Sequence, residues 1–426
     1  FTILGLVLLP VLFFAALRFR WIFSVFILSV PWKTAVLVTA IGHQFTLPEV
    51  ALLILLLHIC WRVLTKQVQL PIHPTGLALL IFGSAATISV VTLLIQPPIE
   101  LYGRPYNIAT GYGAFTLVNI SFSSNSLTQL ALRWFFVGAT VGLGIIFATY
   151  NRAVSWVLRV TVFNALLVGI FGILYQLSLL VGFEAFPEAL QAVGFVRFPL
   201  SPGTLGPLPR MFSVTGEPGS TAHFLLFALA ITAVTALSDD DGVFEKSTAL
   251  VLSLVLFGLI VLTTGTTGYG GLIVFGFVLL VTALFVDSVS LESVLISLTA
   301  VLALGLVGIV GLTLGTNVEV LEIVSTQVQK LQFSAQSGSL RARYISHSLS
   351  LWVERPWFGT GVGTQNGTSF LASALAETGT LGGAALVGAI VLAYRSGIAN
   401  SSAVDDSSVV AIAVAAATIG SVALVA

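Results

Sequence analysis

The stretch AVSWVLRVTVFNALLVGIFGILYQLSLLVG, residues 153–182, decides the fold class of this chain. Its only charge is Arg159, and every side chain from Val160 to Gly182 is uncharged. A helix rises 1.5 Å per residue, so about 20 apolar residues cross the roughly 30 Å of bilayer hydrocarbon. Uncharged runs of similar kind recur outward from it in both directions. They place spans near 2–17, 21–31, 48–64, 75–96, 128–149, 153–182, 220–238, 247–263, 268–286, 291–314, 369–394 and 407–426. The run at 21–31 is short and ends at Pro31-Trp32-Lys33, so residues 32–47 are expected to form an interfacial or re-entrant stretch.

The whole composition agrees. The 426 residues are 57% hydrophobic and 8% charged, with a mean hydropathy of +1.06, against roughly 25% charged residues in a soluble domain. Continuous apolar runs exclude a β-barrel, whose segments would be short and alternating. Zero net charge with scattered basic residues excludes a nucleic-acid partner. Cys60 is the sole cysteine, so neither an intrachain disulfide nor a cysteine metal site can form. The sequence begins at Phe1, apolar at once and without the charged region of a signal peptide, and reads as trimmed at both ends.

No internal repeat or linker divides the chain. The expectation is an all-α polytopic membrane protein of about 12 transmembrane helices, a single transmembrane domain over 1–426. Large outer loops are expected at 98–127, 184–219 and 315–368. Short connections carrying Arg18, Arg20, Arg62, Lys66, Arg152, Lys246 and Arg395 then face the cytoplasm. Arg104, Arg133, Arg197, Arg210, Lys330, Arg341, Arg343 and Arg355 fall on or beside the outer side, against the positive-inside tendency, which assigns them a task such as binding an anion.

Four constellations could carry chemistry. In RMFSVTGEPGSTAHF (210–224), Arg210 offers a planar fork for phosphate oxygens, and Glu217 positions it or accepts a proton, ahead of a helix starting near Gly219-Ser220-Thr221. The plain alternative is that Glu217-Pro218 merely starts a helix. LTTGTTGYGG (262–271), with Thr264, Thr266 and Thr267, is either a ligand-facing turn or a simple helix hairpin. In SGSLRARYISHSLSLWVERPWFGTGVGTQ (337–365), Arg341 and Arg343 precede a short amphipathic helix that Arg355-Pro356 ends before Gly359, Gly361 and Gly363. Tyr344, His347 and Leu351 share one face of it, so His347 looks into a site or packs. In SFLASALAETGTLGG (369–383), Glu377 lies inside an apolar helix, where a carboxylate needs a wet cavity or a partner such as Arg341 or Arg343.

Taken in order, these elements resemble the O-antigen ligase and O-antigen polymerase superfamily over roughly residues 200–385. The matching parts are Arg210 and Glu217-Pro218, the Thr264–Gly271 turn, Ser339-Leu340-Arg341, the Pro356-Trp357-Phe358-Gly359-Thr360-Gly361 run, and the helix with Glu377, Gly379 and Gly382. The resemblance implies a lipid-dependent glycosyltransferase fold (GT-C type) in the inner cell membrane, its site facing the periplasm or exterior. It implies an undecaprenyl-diphosphate-linked glycan donor, a glycan acceptor and surrounding membrane lipids as partners, with no cofactor and no metal. Arg210 and Arg341, with Arg343, would hold the donor diphosphate; Glu217, His347 and Glu377 are the catalytic candidates; Thr264, Thr266, Thr267 and Gly361 form a glycan-contacting or structural turn. The pattern departs at Thr368-Ser369, where ligases of the family tend to carry a His-Asn, His-Ser or His-Gln pair, which favours a polymerase. A ligase acting on a lipid or protein acceptor is the alternative within the family. A polysaccharide or lipid-linked solute transporter, or a non-catalytic assembly subunit, is the alternative outside it.

Overall fold

In a computed structural model of the chain, the described residues are 2–32, 35–40, 43–66, 74–95, 99–103, 116–120, 122, 124–149, 153–183, 185–193, 204–205, 208–209, 211, 213–214, 218–238, 243–263, 266–285, 289–296, 299, 325, 336–364 and 370–404. The protein is mostly helical. The helices are α1 (Ile3–Ala16), α2 (Phe19–Ser29), α3 (Leu47–Leu64), α4 (Pro74–Ile95), α5 (Ser124–Thr149), α6 (Ala153–Leu180), α7 (Ala185–Val193), α8 (Pro218–Leu237), α9 (Lys246–Leu262), α10 (Thr266–Phe285), α11 (Gln336–Glu354) and α12 (Phe370–Val404). Proline opens α4 and α8 and stands in the first turn of α3, where its fixed φ suits the helix and its missing N–H would have no intrahelical partner.

Among the described residues five stretches are long and apolar enough to cross a membrane: Leu47–Leu64, Pro74–Ile95, Val154–Leu180, Gly219–Leu237 and Leu371–Ser396. Four shorter apolar helices accompany them, Ile3–Ala16, Phe19–Ser29, Lys246–Leu262 and Gly268–Leu284. Outward-facing Phe13, Leu57, Ile273 and Phe277 are each more than half exposed, as befits a surface solvated by lipid rather than water. The expected span near 407–426 and most of that near 291–314 lie outside the described residues.

Among the described residues, three antiparallel strand pairs interrupt the helical pattern: β1 (Val36–Ala40) with β2 (His43–Thr46), β3 (Ile99–Gly103) with β4 (Thr116–Ile120), and β5 (Thr204–Leu205) with β6 (Leu208–Pro209). The first fills the stretch expected to be interfacial or re-entrant. Its β-branched Val36, Val38 and Thr39 favour extended backbone, and the Thr2 N–H donates to the Leu37 carbonyl at 3.1 Å. The expected outer stretch 315–368 holds the nineteen-residue helix α11.

The chain forms two compact units. The first comprises Phe1–Gln69, Ile146–Ser325 and Ser396–Ile419. Its centre is α8, whose Leu225, Leu226, Ile231 and Val234 are fully buried against Leu158 and Val162 of α6, Leu256 and Ile260 of α9 and Phe275 and Leu279 of α10. The Ser253 hydroxyl meets Thr232 Oγ1 at 2.9 Å between α9 and α8, and the Asn164 amide of α6 donates to the Ile27 carbonyl in the last turn of α2 at 3.1 Å. Polar side chains among apolar helices thus find interhelical partners. In α10, Gly271 gives room to Leu226 of α8 and Gly268 to Ile260 of α9 and Ala222 of α8, so these two glycines of the Thr-Gly stretch serve close helix packing.

The second unit comprises Leu70–Ile145, Thr326–Arg395 and Gly420–Ala426. Its buried side chains form small clusters along α4: Phe82 with Val137 of α5 and Ala374 and Leu386 of α12, Ala86 and Val90 with Val362, and Leu93 with Leu351 of α11 and Ala376 of α12. Trp134 of α5 donates through Nε1 to Thr87 Oγ1 of α4 at 2.9 Å, its ring seated on Gly83.

Candidate functional site

The candidate site lies in the second unit, where α12 is broken. Gly379, inside the candidate span Leu371–Ser396, has φ 68 and ψ −169, so α12 is two helices meeting at a kink. A break strips the preceding turn of its helical donors, and in hydrocarbon an unpaired peptide group costs several kcal/mol. The loop after α11 supplies the missing partners. The Thr360 N–H donates to the Ala376 carbonyl at 2.7 Å and the Gly361 N–H to the Glu377 carbonyl at 3.1 Å. In return the Thr380 N–H and hydroxyl both donate to the Pro356 carbonyl, each at 2.7 Å, while Trp352 Nε1 donates to Thr380 Oγ1 at 3.0 Å.

Only glycine permits this fit. Gly359 (φ 70) and Gly379 (φ 68) are both left-handed. A Cβ on Gly359 would fall 2.6 Å from the Ala376 carbonyl oxygen, and one on Gly379 would fall 2.5 Å from the Phe358 nitrogen. Gly361, read from sequence as part of a turn, has φ 96 and is packed against Leu93 of α4.

Glu377 sits two residues before the break, with a side chain 4% exposed. Its Oε2 pairs with the Arg133 guanidinium of α5 at 3.0 Å, and its Oε1 accepts the Gly363 N–H at 3.0 Å. The carboxylate therefore ties α5, the glycine loop and the break together. Sequence reasoning offered Arg341 or Arg343 as its partner; the structure pairs it with Arg133, 244 positions away, while the Arg341 side chain lies outside the described residues. A signal for the pair existed: Arg133 and Glu377 are opposite charges in two otherwise apolar runs, and lone intramembrane charges seek each other.

Helix α11 leads directly into the loop. Arg341 and Arg343 lie within it rather than ahead of it, because the helix already starts at Gln336; Ser337, Gly338 and Ser339, weak helix formers, had masked that start. Arg343 is exposed. Leu351 is fully buried in a cluster with Leu93 and Ala376, and His347, one turn back on the same face, is half-buried. Burial holds the His347 imidazole below its ordinary pKa of 6.5, opposed in part by the Glu354 carboxylate.

The remaining sequence candidates divide. Arg210, Glu217 and Thr264 lie outside the described residues, as do the side chains of Thr266, Thr267 and Arg341, whose backbones belong to α10 and α11. Pro218 opens α8, in keeping with a helix beginning just after Glu217. Arg341, Arg343, His347, Gly361 and Glu377 all belong to the second unit; Thr266 and Thr267 belong to the first. Sequence reasoning missed Arg133 as the ion partner, Gly363 as a backbone donor and Gly379 as the helix breaker. Neither a scan of protein families nor a search of curated proteins returned a match to this chain.

Proposed function

We propose that the chain is a glycosyltransferase that passes an undecaprenyl-diphosphate-linked glycan to an acceptor sugar hydroxyl at the outer face of the inner membrane, polymerising O-antigen or exopolysaccharide units without a metal. The observation that carries this reading is the glycine loop, fastened by the Arg133–Glu377 pair to a broken membrane helix and fed by the arginine-bearing α11. A lipid-linked diphosphate needs both a cationic aqueous side and a membrane-embedded one, and this joint connects the two.

The acceptor oxygen attacks the anomeric carbon as the bond to the diphosphate breaks. The acceptor proton passes to a base, and the diphosphate leaves with the charge it gains. Arg341 and Arg343 hold that diphosphate, since a guanidinium pairs bidentately with phosphate oxygens and stabilises charge that grows in the transition state. His347 suits the base: burial keeps its imidazole neutral at pH 7 and able to accept a proton. Both Glu377 oxygens are already engaged, so Glu377 acts as a positioning residue that shapes the loop.

The test supplies purified protein with an undecaprenyl-diphosphate-linked oligosaccharide and resolves products by size. A ladder of longer lipid-linked glycans, lost in Arg341→Ala, is expected. A single transfer to a lipid or protein acceptor would make the chain a ligase. One observation favours transport instead, since broken helices near the membrane midplane are a transporter device and α12 breaks at Gly379. Lipid-linked substrate crossing proteoliposomes with no bond formed would establish that reading and remove the enzyme.

A further inference from the structure

We propose that the first unit holds a binding site for an anionic phospholipid headgroup, built where α1 and α3 end and α2 begins, from Arg18, Arg20, Arg62 and Lys66 framed by Trp21 and Trp61. The three helix ends are pinned together. The His58 Nε2–H of α3 donates to the Ala16 carbonyl closing α1 at 2.6 Å, and the His58 ring meets Phe19 edge-on at 6.3 Å. The Arg62 guanidinium lies 4.3 Å over the Phe19 ring, and that of Arg18 lies 4.9 Å over Trp21. Arg18 and Arg62 are therefore held at these helix ends, with Arg20 next in sequence to Phe19 and Lys66 one turn beyond Arg62.

Their surroundings select the ligand. Residues 2–32 and 50–66 contain no Asp or Glu, so these helix segments bring no carboxylate of their own. Arg18, Arg20 and Lys66 are exposed, and Lys66 closes α3 in the left-handed conformation (φ 56) where glycine is the usual residue. α3 is a candidate membrane span, so its last turn marks a bilayer boundary. Trp21 and Trp61 are 51% and 65% exposed there, as aromatic residues at headgroup level are. Exposed Phe13, Phe14, Leu17 and Leu57 continue on the apolar side, ready to contact acyl chains. A guanidinium cluster above an apolar wall matches a phosphate joined to a diacyl tail.

Purified, delipidated full-length protein is titrated with phosphatidylglycerol and with phosphatidylcholine, and bound lipid is counted by native mass spectrometry. Phosphatidylglycerol is expected to be preferred, and the preference should fall about fivefold per cation removed, the equivalent of roughly 1 kcal/mol per charge near an anionic surface. Arg18→Gln/Arg20→Gln tests this without disturbing Arg62 on Phe19, and Lys246→Gln/Arg395→Gln, both exposed elsewhere, should leave the preference intact. An unchanged preference in the first double variant, an equal loss in the second, or displacement of the lipid by millimolar inorganic phosphate would each overturn the proposal.

Discussion

Replacing Arg133 by Gln should destabilise the second unit by about 3 kcal/mol. Removing one partner of a buried ion pair costs about 3–5 kcal/mol because the other charge is left uncompensated. Glu377 is 4% exposed, whereas Arg133 is 22% exposed, which places the cost at the lower end of the range. The Gly363 N–H still satisfies Oε1, so the carboxylate is weakened rather than stranded. Arg133→Gln/Glu377→Gln should recover at least half of the loss, since a neutral amide at position 377 has no charge to leave unpaired. Equilibrium unfolding in mixed detergent micelles, followed by tryptophan fluorescence in all four members of the cycle, reads these energies. A cost below about 1 kcal/mol for Arg133→Gln, the level of a solvated surface pair, would refute the buried-pair account. So would a double variant less stable than Arg133→Gln alone.

Gly379→Ala combines a left-handed backbone penalty of about 1–2 kcal/mol with overpacking of about 1–3 kcal/mol against Trp357 and Phe358, so a loss of roughly 2–5 kcal/mol is expected in the same unfolding assay. Gly271→Ala should cost only about 1 kcal/mol, because its new Cβ meets the rotatable end of Leu226 rather than backbone. His347 gives a pH signature. Above its ordinary pKa of 6.5 the imidazole is neutral in both states; as pH falls below 6.5 the unfolded chain takes up the proton first, and stability declines until the folded-state pKa is passed. Unfolding midpoints measured from pH 7.5 to 5 should show this decline, and His347→Gln should flatten it.

Much of the helical pattern was legible in the residues, because lipid selects for length and lack of charge and both can be read locally. The runs placed near 48–64, 75–96 and 220–238 are found as α3, α4 and α8 at Leu47–Leu64, Pro74–Ile95 and Pro218–Leu237. The hairpin at 36–46 was legible only as an interruption, since its few extended residues carry too short an alternation to announce a partner. The site was half legible. Glu377 stood out as a costly intramembrane charge, and the run from Gly359 to Gly363 stood out as a loop. That the loop closes on a break at Gly379 depends on two segments meeting in space, and that Arg133 answers Glu377 depends on how α5 packs. Sequence proximity favoured the nearer arginines because spacing carries no information about such a tertiary pairing.

The joint between the loop and α12 is made mostly of main-chain bonds, Thr360 to Ala376, Gly361 to Glu377 and Thr380 to Pro356. Bonds of that kind shape how the protein can evolve. Substitution of side chains at Thr360 or Val362 leaves those peptide groups in place, so the joint itself survives such drift. A methyl at 359 or 379 strikes the opposite strand of the joint, and relieving one clash leaves the other standing. In descendants of this sequence the two glycines should therefore persist together or vanish together, so their joint occurrence in a distant chain would mark the same break even where the residues between them share no identity.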